Sequence, residues 1–398
     1  MQIPLIARNA SLDEILPALQ AQHDVKLDAT VPFAAVRSEG GVLRVQGLSA
    51  LDVTEEIALR PTVICDGHIA EKLGIPTAYL RKMREERPDL YDANVNGWIH
   101  GTVDAETGRP IDLDPRRVLL RAFHDVDAGG EGIARAILSD TYKPIDNLDV
   151  LFAALDAIKE ADIAVNIVNA NLSETRLSVV FDAPGILAAA PVLDEGYRSP
   201  FDHQGHDARW VALNARYGLE PGNRSPYVSA GFVLSNGETG GGAFILTPRF
   251  TKIVCLNGMV RSADAVRKIH LGGRLDDGIV RYSEETQRKA LELVMATTGD
   301  AVRTFLDVDY LKAKVDEIEA KAGKKINEPV ETIELISTKL KYTEAEQRGI
   351  LNYFVAGGQM TAGGVLNAVT AFAQTVEDPD QAWDLEASAM DALALATA

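Results

Sequence analysis

With 398 residues, 46% apolar and 25% charged, the chain has the make-up of an ordinary globular protein with room for two or three domains. A formal charge of −18 argues against a protein that coats a phosphate backbone along its whole length. No run approaches the ~20 apolar residues of a membrane span, the first residues lack the pattern of a secretory signal, and Cys65 and Cys255 read as reduced, packed thiols of a cytoplasmic chain.

Taken in order, Ser11 caps a short helix over residues 12–22, and Val42 to Val45 is strand-like. Residues 69–87 are helical with a break at Gly74-Ile75-Pro76, and Pro88 closes them. Ala70, Gly74 and Leu80 fall near helix-turn-helix spacing, with Arg81, Lys82 and Arg84 on the second helix. Glu85 and Glu86 spoil that basic face, so a helical hairpin with a wet charged side accounts for the pattern more simply.

The stretch from Arg117 to Leu155 organises the centre. Val118 to Phe123 predicts a strand, Gly129, Gly130 and Gly132 a tight loop, Ile133 to Leu138 a turn of helix, and Asp146 or Asn147 the cap of an amphipathic helix over 148–160. That helix should bury Leu148, Leu151, Phe152, Leu155 and Ile158. Two apolar runs follow, 163–168 and 177–181, then an apparent long insertion over 183–223 that carries His203 and His206. Asn236-Gly237 between apolar runs predicts a hairpin over 227–247, and a further strand is expected at 252–255. From residue 284 the pattern is helical, with helices expected over 285–298, 300–322, 343–355 and 361–374 and an acidic, Ala-rich end.

These readings predict an α+β fold: an antiparallel hairpin sheet, holding the 162–182 and 227–255 strands, packed on a helix and followed by a mainly helical C-terminal region. The expected divisions are 1–100, 101–282 and 283–398.

Catalytic signatures are missing. The glycine cluster at 127–132 lacks the Gly-Lys-Ser/Thr ending of a phosphate loop, and no GxGxxG, nucleophile elbow, HExxH or CxxC occurs. Asp140, Asp146 and Asp149, or His203 with His206, could ligate a metal, but Asp146 serves equally as a helix cap and the histidines lack further ligands. No cofactor and no metal is expected. Charge is uneven: residues 283–398 hold 20 acids against 11 bases, whereas 243–274 hold six bases against one acid.

Three stretches, RAF…GIARAILSDTYKPIDNLDVL from Arg121, RFTKIVCLNGMV from Arg249 and TAGGVLNAVTAFAQ from Thr361, resemble in sequence and order the phage- and plasmid-encoded family labelled "phage/plasmid-like protein", a domain of unknown function. The similarity runs from Ile69 to the C-terminal helix. It implies a bacteriophage or mobile-element protein acting in the host cytoplasm, in the setting of replication and recombination genes. A more distant likeness to the single-strand-annealing superfamily would imply single-stranded DNA laid along a basic groove.

The leading expectation is thus a non-enzymatic, homo-oligomeric protein that binds and anneals single-stranded DNA through Arg121, Arg135, Arg249, Lys252, Arg261, Lys268 and Arg274. On another reading those arginines pair with Asp125, Asp140 and Asp264 and only decorate a surface. The alternative function is an acidic, DNA-mimicking or docking protein that inhibits a host restriction or repair factor, its C-terminal region meeting a host or phage protein. A third is a metal-dependent enzyme built on Asp140, Asp146 and His124.

Overall fold

The structure, a computed structural model, describes residues 3–46, 48, 56–103, 110–111, 113–125, 129–199, 206–220, 226–253, 257–260, 264–268 and 284–398. The fold is α+β: two sheets with helices set between their strands, followed by a mostly helical C-terminal region. Among the described residues no helix is long and apolar enough to cross a membrane.

The chain opens with β1 (Ala7–Ala10) and α1 (Leu12–Asp24), whose start is fixed by a capping box: Ser11 N–H donates to the Glu14 carboxylate at 2.8 Å. Next come β2 (Lys26–Pro32), β3 (Val36–Glu39), β4 (Val42–Val45) and β5 (Ile57–Pro61). Three helices follow: α2 (Val63–Leu73), α3 (Thr77–Glu86) and α4 (Pro88–His100). The helical segment stops ahead of Pro88 as expected, α3 ending at Glu86, and Pro88 then opens α4, where a residue without an N–H is tolerated. After the short β6 (Thr102–Val103) and β7 (Pro110–Ile111) come β8 (Arg117–Phe123) and β9 (Glu131–Ser139).

The first sheet has the order β2-β8-β9-β5-β4-β3. It crosses the boundary expected at residue 100, because β8 and β9 pair with β2 and β5. The turn of helix expected at 133–138 is β9: pairing with strands on both sides overrides the local preference of Ile-Ala-Arg-Ala-Ile-Leu. Of the glycine loop before it, residues 126–128 lie outside the described set. Gly129 and Gly130 have φ of +66° and +92°, and a Cβ on Gly132 would lie 2.5 Å from the Phe123 carbonyl oxygen.

The second sheet begins after α5 (Asn147–Ala161). Its strands are β10 (Asn166–Leu172), β11 (Leu177–Ala189), β12 (Tyr227–Asn236), β13 (Phe244–Lys252), β14 (Asn257–Val260) and β15 (Val266–Lys268), with β1 at its other edge. The expected hairpins therefore share one sheet. Much of the apparent insertion is ordered structure: β11 runs on to Ala189, and α6 (Pro191–Asp194) and α7 (His206–Arg216) follow. Lys252 ends β13 rather than starting a strand of its own, and residues 254–256 of that expected strand lie outside the described set.

The C-terminal region holds α8 (Glu284–Phe305), α9 (Val308–Ala322), α10 (Pro329–Leu340), α11 (Glu344–Gly357), α12 (Ala362–Ala373) and α13 (Pro379–Ala396). Alternate residues of the sheet, including Phe181, Phe232, Leu246 and Phe250, join these helices and α5 in one apolar core. The buried side of α5 is not quite the expected one. Leu148 and Leu151 are buried and Leu155 and Ile158 partly so, but Phe152 is 40% exposed. Ala153, Ala154 and Ala157 are buried in its stead.

Candidate functional site

The two sheets meet at a cluster of buried charges. The tip of the β12–β13 hairpin reaches across to β8, β9 and the start of α5. Arg121, fully buried on β8, makes a bidentate pair with Asp28 on β2 (2.9 Å for both bonds), a bond to Asp146 (2.7 Å) and a bond to the Glu238 carbonyl (2.9 Å). Lys26 also pairs with Asp146. Arg135, on β9, donates to the Glu238 carboxylate at 2.7 Å and lies over the Phe123 ring at 4.3 Å. Burial alone would push the Asp146 carboxyl up, but Arg121 and Lys26 hold it below the usual carboxylate range.

The expected cap of α5 is replaced from outside. Asp146 occupies the N-cap position, yet its side chain makes no cap hydrogen bond; Glu238 accepts from the Asn147 N–H at 2.5 Å instead. A carboxylate there satisfies a helix-end donor and meets the positive end of the helix dipole. Asn236 adds bonds from its amide to the Ile145 carbonyl (2.8 Å) and Asn147 Oδ1 (2.9 Å). Gly240 has φ of +87°, a conformation that favours glycine, and a Cβ on it would also press on Leu138 Cδ2 at 2.6 Å, where the turn seats against β9. The cavity beside Arg135, Asp146 and Glu238 holds about 10 Å³, at the lower limit for one water. This is a structural seam, with no space for a ligand.

Further along the hairpin, Arg249 reaches Glu386 on α13 (3.3 Å) and Thr251 Oγ1 (2.8 Å). Lys252, 1% exposed, pairs with Asp194 (2.6 Å), donates to the Leu193 carbonyl (3.3 Å) and stands 4.1 Å from the Tyr197 ring centre. The expected phosphate-facing surface is therefore corrected at four positions. Arg121, Arg135, Arg249 and Lys252 are buried and neutralised, and a cation enclosed this way cannot meet a polyanion without breaking its pair. Their acids are Asp28, Asp146, Glu238, Glu386 and Asp194, not Asp125, Asp140 or Asp264. Lys268 ends β15, with its side chain outside the described set; Arg261 and Arg274 also lie outside it. The basic face of α3 is likewise engaged: Arg84 pairs with the buried Asp66 at 2.7 Å and Arg81 donates to the Val63 carbonyl.

A third polar group, which the sequence did not point to, lies near α7. Asp182, Gly231 and Arg249 are register neighbours across β11, β12 and β13. Asp182 is fully buried and accepts from Ser229 Oγ at 2.5 Å. Both amide atoms of Asn214 lack a hydrogen-bond partner among the described residues, and the Tyr217 hydroxyl lies beside Asp182 and Ser229. Burial and the nearby Asp182 push the Tyr217 hydroxyl up to about 12. Arg216 approaches Asp182 only to 3.9 Å. The signal was the period-two polar series Thr247, Arg249, Thr251, set between Phe244, Leu246 and Phe250 on the other face.

Among the described residues no three of His, Cys, Asp and Glu converge as metal ligands. Asp146 is committed to Arg121 and Lys26, and His203 lies outside the described set, as does the side chain of His206. Compared with family models, with curated proteins and with solved structures, the chain matches none.

Proposed function

We propose that the protein is a non-enzymatic docking protein of a phage or plasmid, presenting the acidic C-terminal helices to a basic surface on a host or phage protein. One observation carries this reading: four of the cations offered by the central strands, Arg121, Arg135, Arg249 and Lys252, are spent inside the molecule, whereas acids of the helical region stand in solvent. Asp309, Asp316 and Glu317 on α9 and Glu331 and Glu334 on α10 are exposed. Such a surface repels a nucleic acid and steers a basic partner toward it.

Single-stranded DNA remains the second reading, favoured by Arg267, which is exposed on β15 beside Lys268. Anisotropy of a labelled single-stranded oligonucleotide between ~50 and ~200 mM salt separates the two. The docking reading expects no binding. Binding that weakens steeply with salt, and that Arg267→Gln flattens, would transfer the function to DNA. In parallel, polylysine binding should fall more in the Asp316→Lys, Glu331→Lys, Glu334→Lys triple variant than in a charge-matched Asp13→Lys, Asp24→Lys, Asp89→Lys triple. Equal losses in the two triples would mean that only net charge matters.

A further inference from the structure

A groove of about 560 Å³ lies at the outer end of the second sheet, a volume in the range of small-molecule sites. Leu155 and Ile158 on α5, Val165 ahead of β10, Ile167 on β10 and Phe181 on β11 give it apolar walls. The first turn of α1 closes one side with Ser11 and Leu12. The pairing of β1 with β10 is at Ala170 and Leu172, so residues 166–168 of β10 continue past β1 beneath the groove. Val168 stands 42% exposed on its rim.

Among the described residues one cation lines these walls. Arg216, at the C-terminal end of α7, has a side chain 33% exposed. Its single ion pair among the described residues is with Asp182 at 3.9 Å, beyond hydrogen-bond reach, and no described residue accepts a hydrogen bond from its guanidinium. The planar five-donor fork is thus anchored in direction by a buried acid but not filled. Arg121 makes the contrast, since its guanidinium holds four hydrogen bonds.

From this arrangement we infer that the groove binds a small amphipathic carboxylate, its apolar body on Leu155, Ile158, Ile167 and Phe181 and its carboxylate on the Arg216 fork. A single planar fork matches the two oxygens of one carboxylate. A phosphate ester, with more charge, would find no second cation among the described residues of these walls. The groove shares no residue with the acidic helices, so this inference stands apart from the docking function.

The test uses the full chain with octanoate and octanol, which share a body and differ in the head. Titration calorimetry should give saturable octanoate binding. Arg216→Gln should weaken octanoate about tenfold or more while leaving octanol unchanged, as expected on losing one charge-assisted contact. Val168→Asp leaves the Arg216–Asp182 pair in place, alters only an exposed rim position, and should repel octanoate but not octanol. It decides the matter if Arg216→Gln fails to fold. Absence of saturable octanoate binding, or octanoate affinity unchanged in the folded variants, would overturn the assignment. Equal weakening of octanoate and octanol would reduce the groove to an apolar patch and overturn the carboxylate head.

Discussion

Arg121 and Arg216 both approach buried or half-buried aspartates, but they belong to regions built on different terms. In the seam between the sheets Arg121 is saturated by two carboxylates and a carbonyl, and the adjoining space is no larger than a water. In the groove Arg216 touches one carboxylate at the limit of an ion pair and borders about 560 Å³ of open volume. Burial or charge alone would rank Arg121 as the more conspicuous residue. What separates a binding residue from a structural one is how many of its donors are already taken.

The largest effect should come from emptying the seam. Arg121→Met leaves Asp28 and Asp146 without their main cation and should cost ~3–5 kcal/mol in chemical denaturation, because breaking a buried pair strands a charge. A loss below about 1 kcal/mol would mean that the seam does not hold the sheets together. Next in size is the apolar support under it. Leu151→Ala on the buried side of α5 should cost ~2–5 kcal/mol, while Phe152→Ser one position on should stay within about 0.5 kcal/mol. Similar losses at both positions would contradict the burial difference between them.

A smaller effect is expected from acid. The folded Asp146 carboxyl sits below its ordinary value of 3.8, so its contribution is fully present above that pH. As pH falls, the unfolded chain takes up the proton first, and the stabilisation drains away through the lower folded value. Wild type and Asp146→Asn should therefore differ most near neutral pH and converge below pH 3.8, as urea denaturation across that range would measure. A constant gap would sink the linkage. The smallest change should be Arg216→Gln, under about 1 kcal/mol, since its ion pair is long and a third of its side chain is wet. A cost as large as that of Arg121→Met would erase the contrast between the two regions.

The parts of the fold that were legible in sequence are those with a local cause. Asn236-Gly237 marked the hairpin turn, the Val118 to Phe123 run marked β8, and the Ser11 cap marked α1. β9 was misread because Ala, Ile and Leu suit either state and only its neighbours decide. α10 went unseen, although Pro329 at its start and Ile333 and Ile336 on its buried side form a pattern. The fate of the cations had no local cause at all. Arg121 finds Asp28 across 93 residues and Arg249 finds Glu386 across 137, and no spacing rule reaches that far. The replacement of Asp146 by Glu238 at the α5 cap was hidden for the same reason.

The placement of β1 has a consequence for how the chain acquires its structure. β1 lies in the second sheet, bonded to residues near 170, while β2, sixteen residues further on, lies in the first sheet. During synthesis the first sheet can close once β9 has emerged, yet the extreme N-terminus must wait for β10 before it has a partner. Long loops of this kind are slow to close and leave a strand edge exposed in the meantime. Refolding should therefore be polyphasic, with protection of amides in β8 and β9 preceding that in β1. A nascent chain halted before β10 would keep β1 open to proteases.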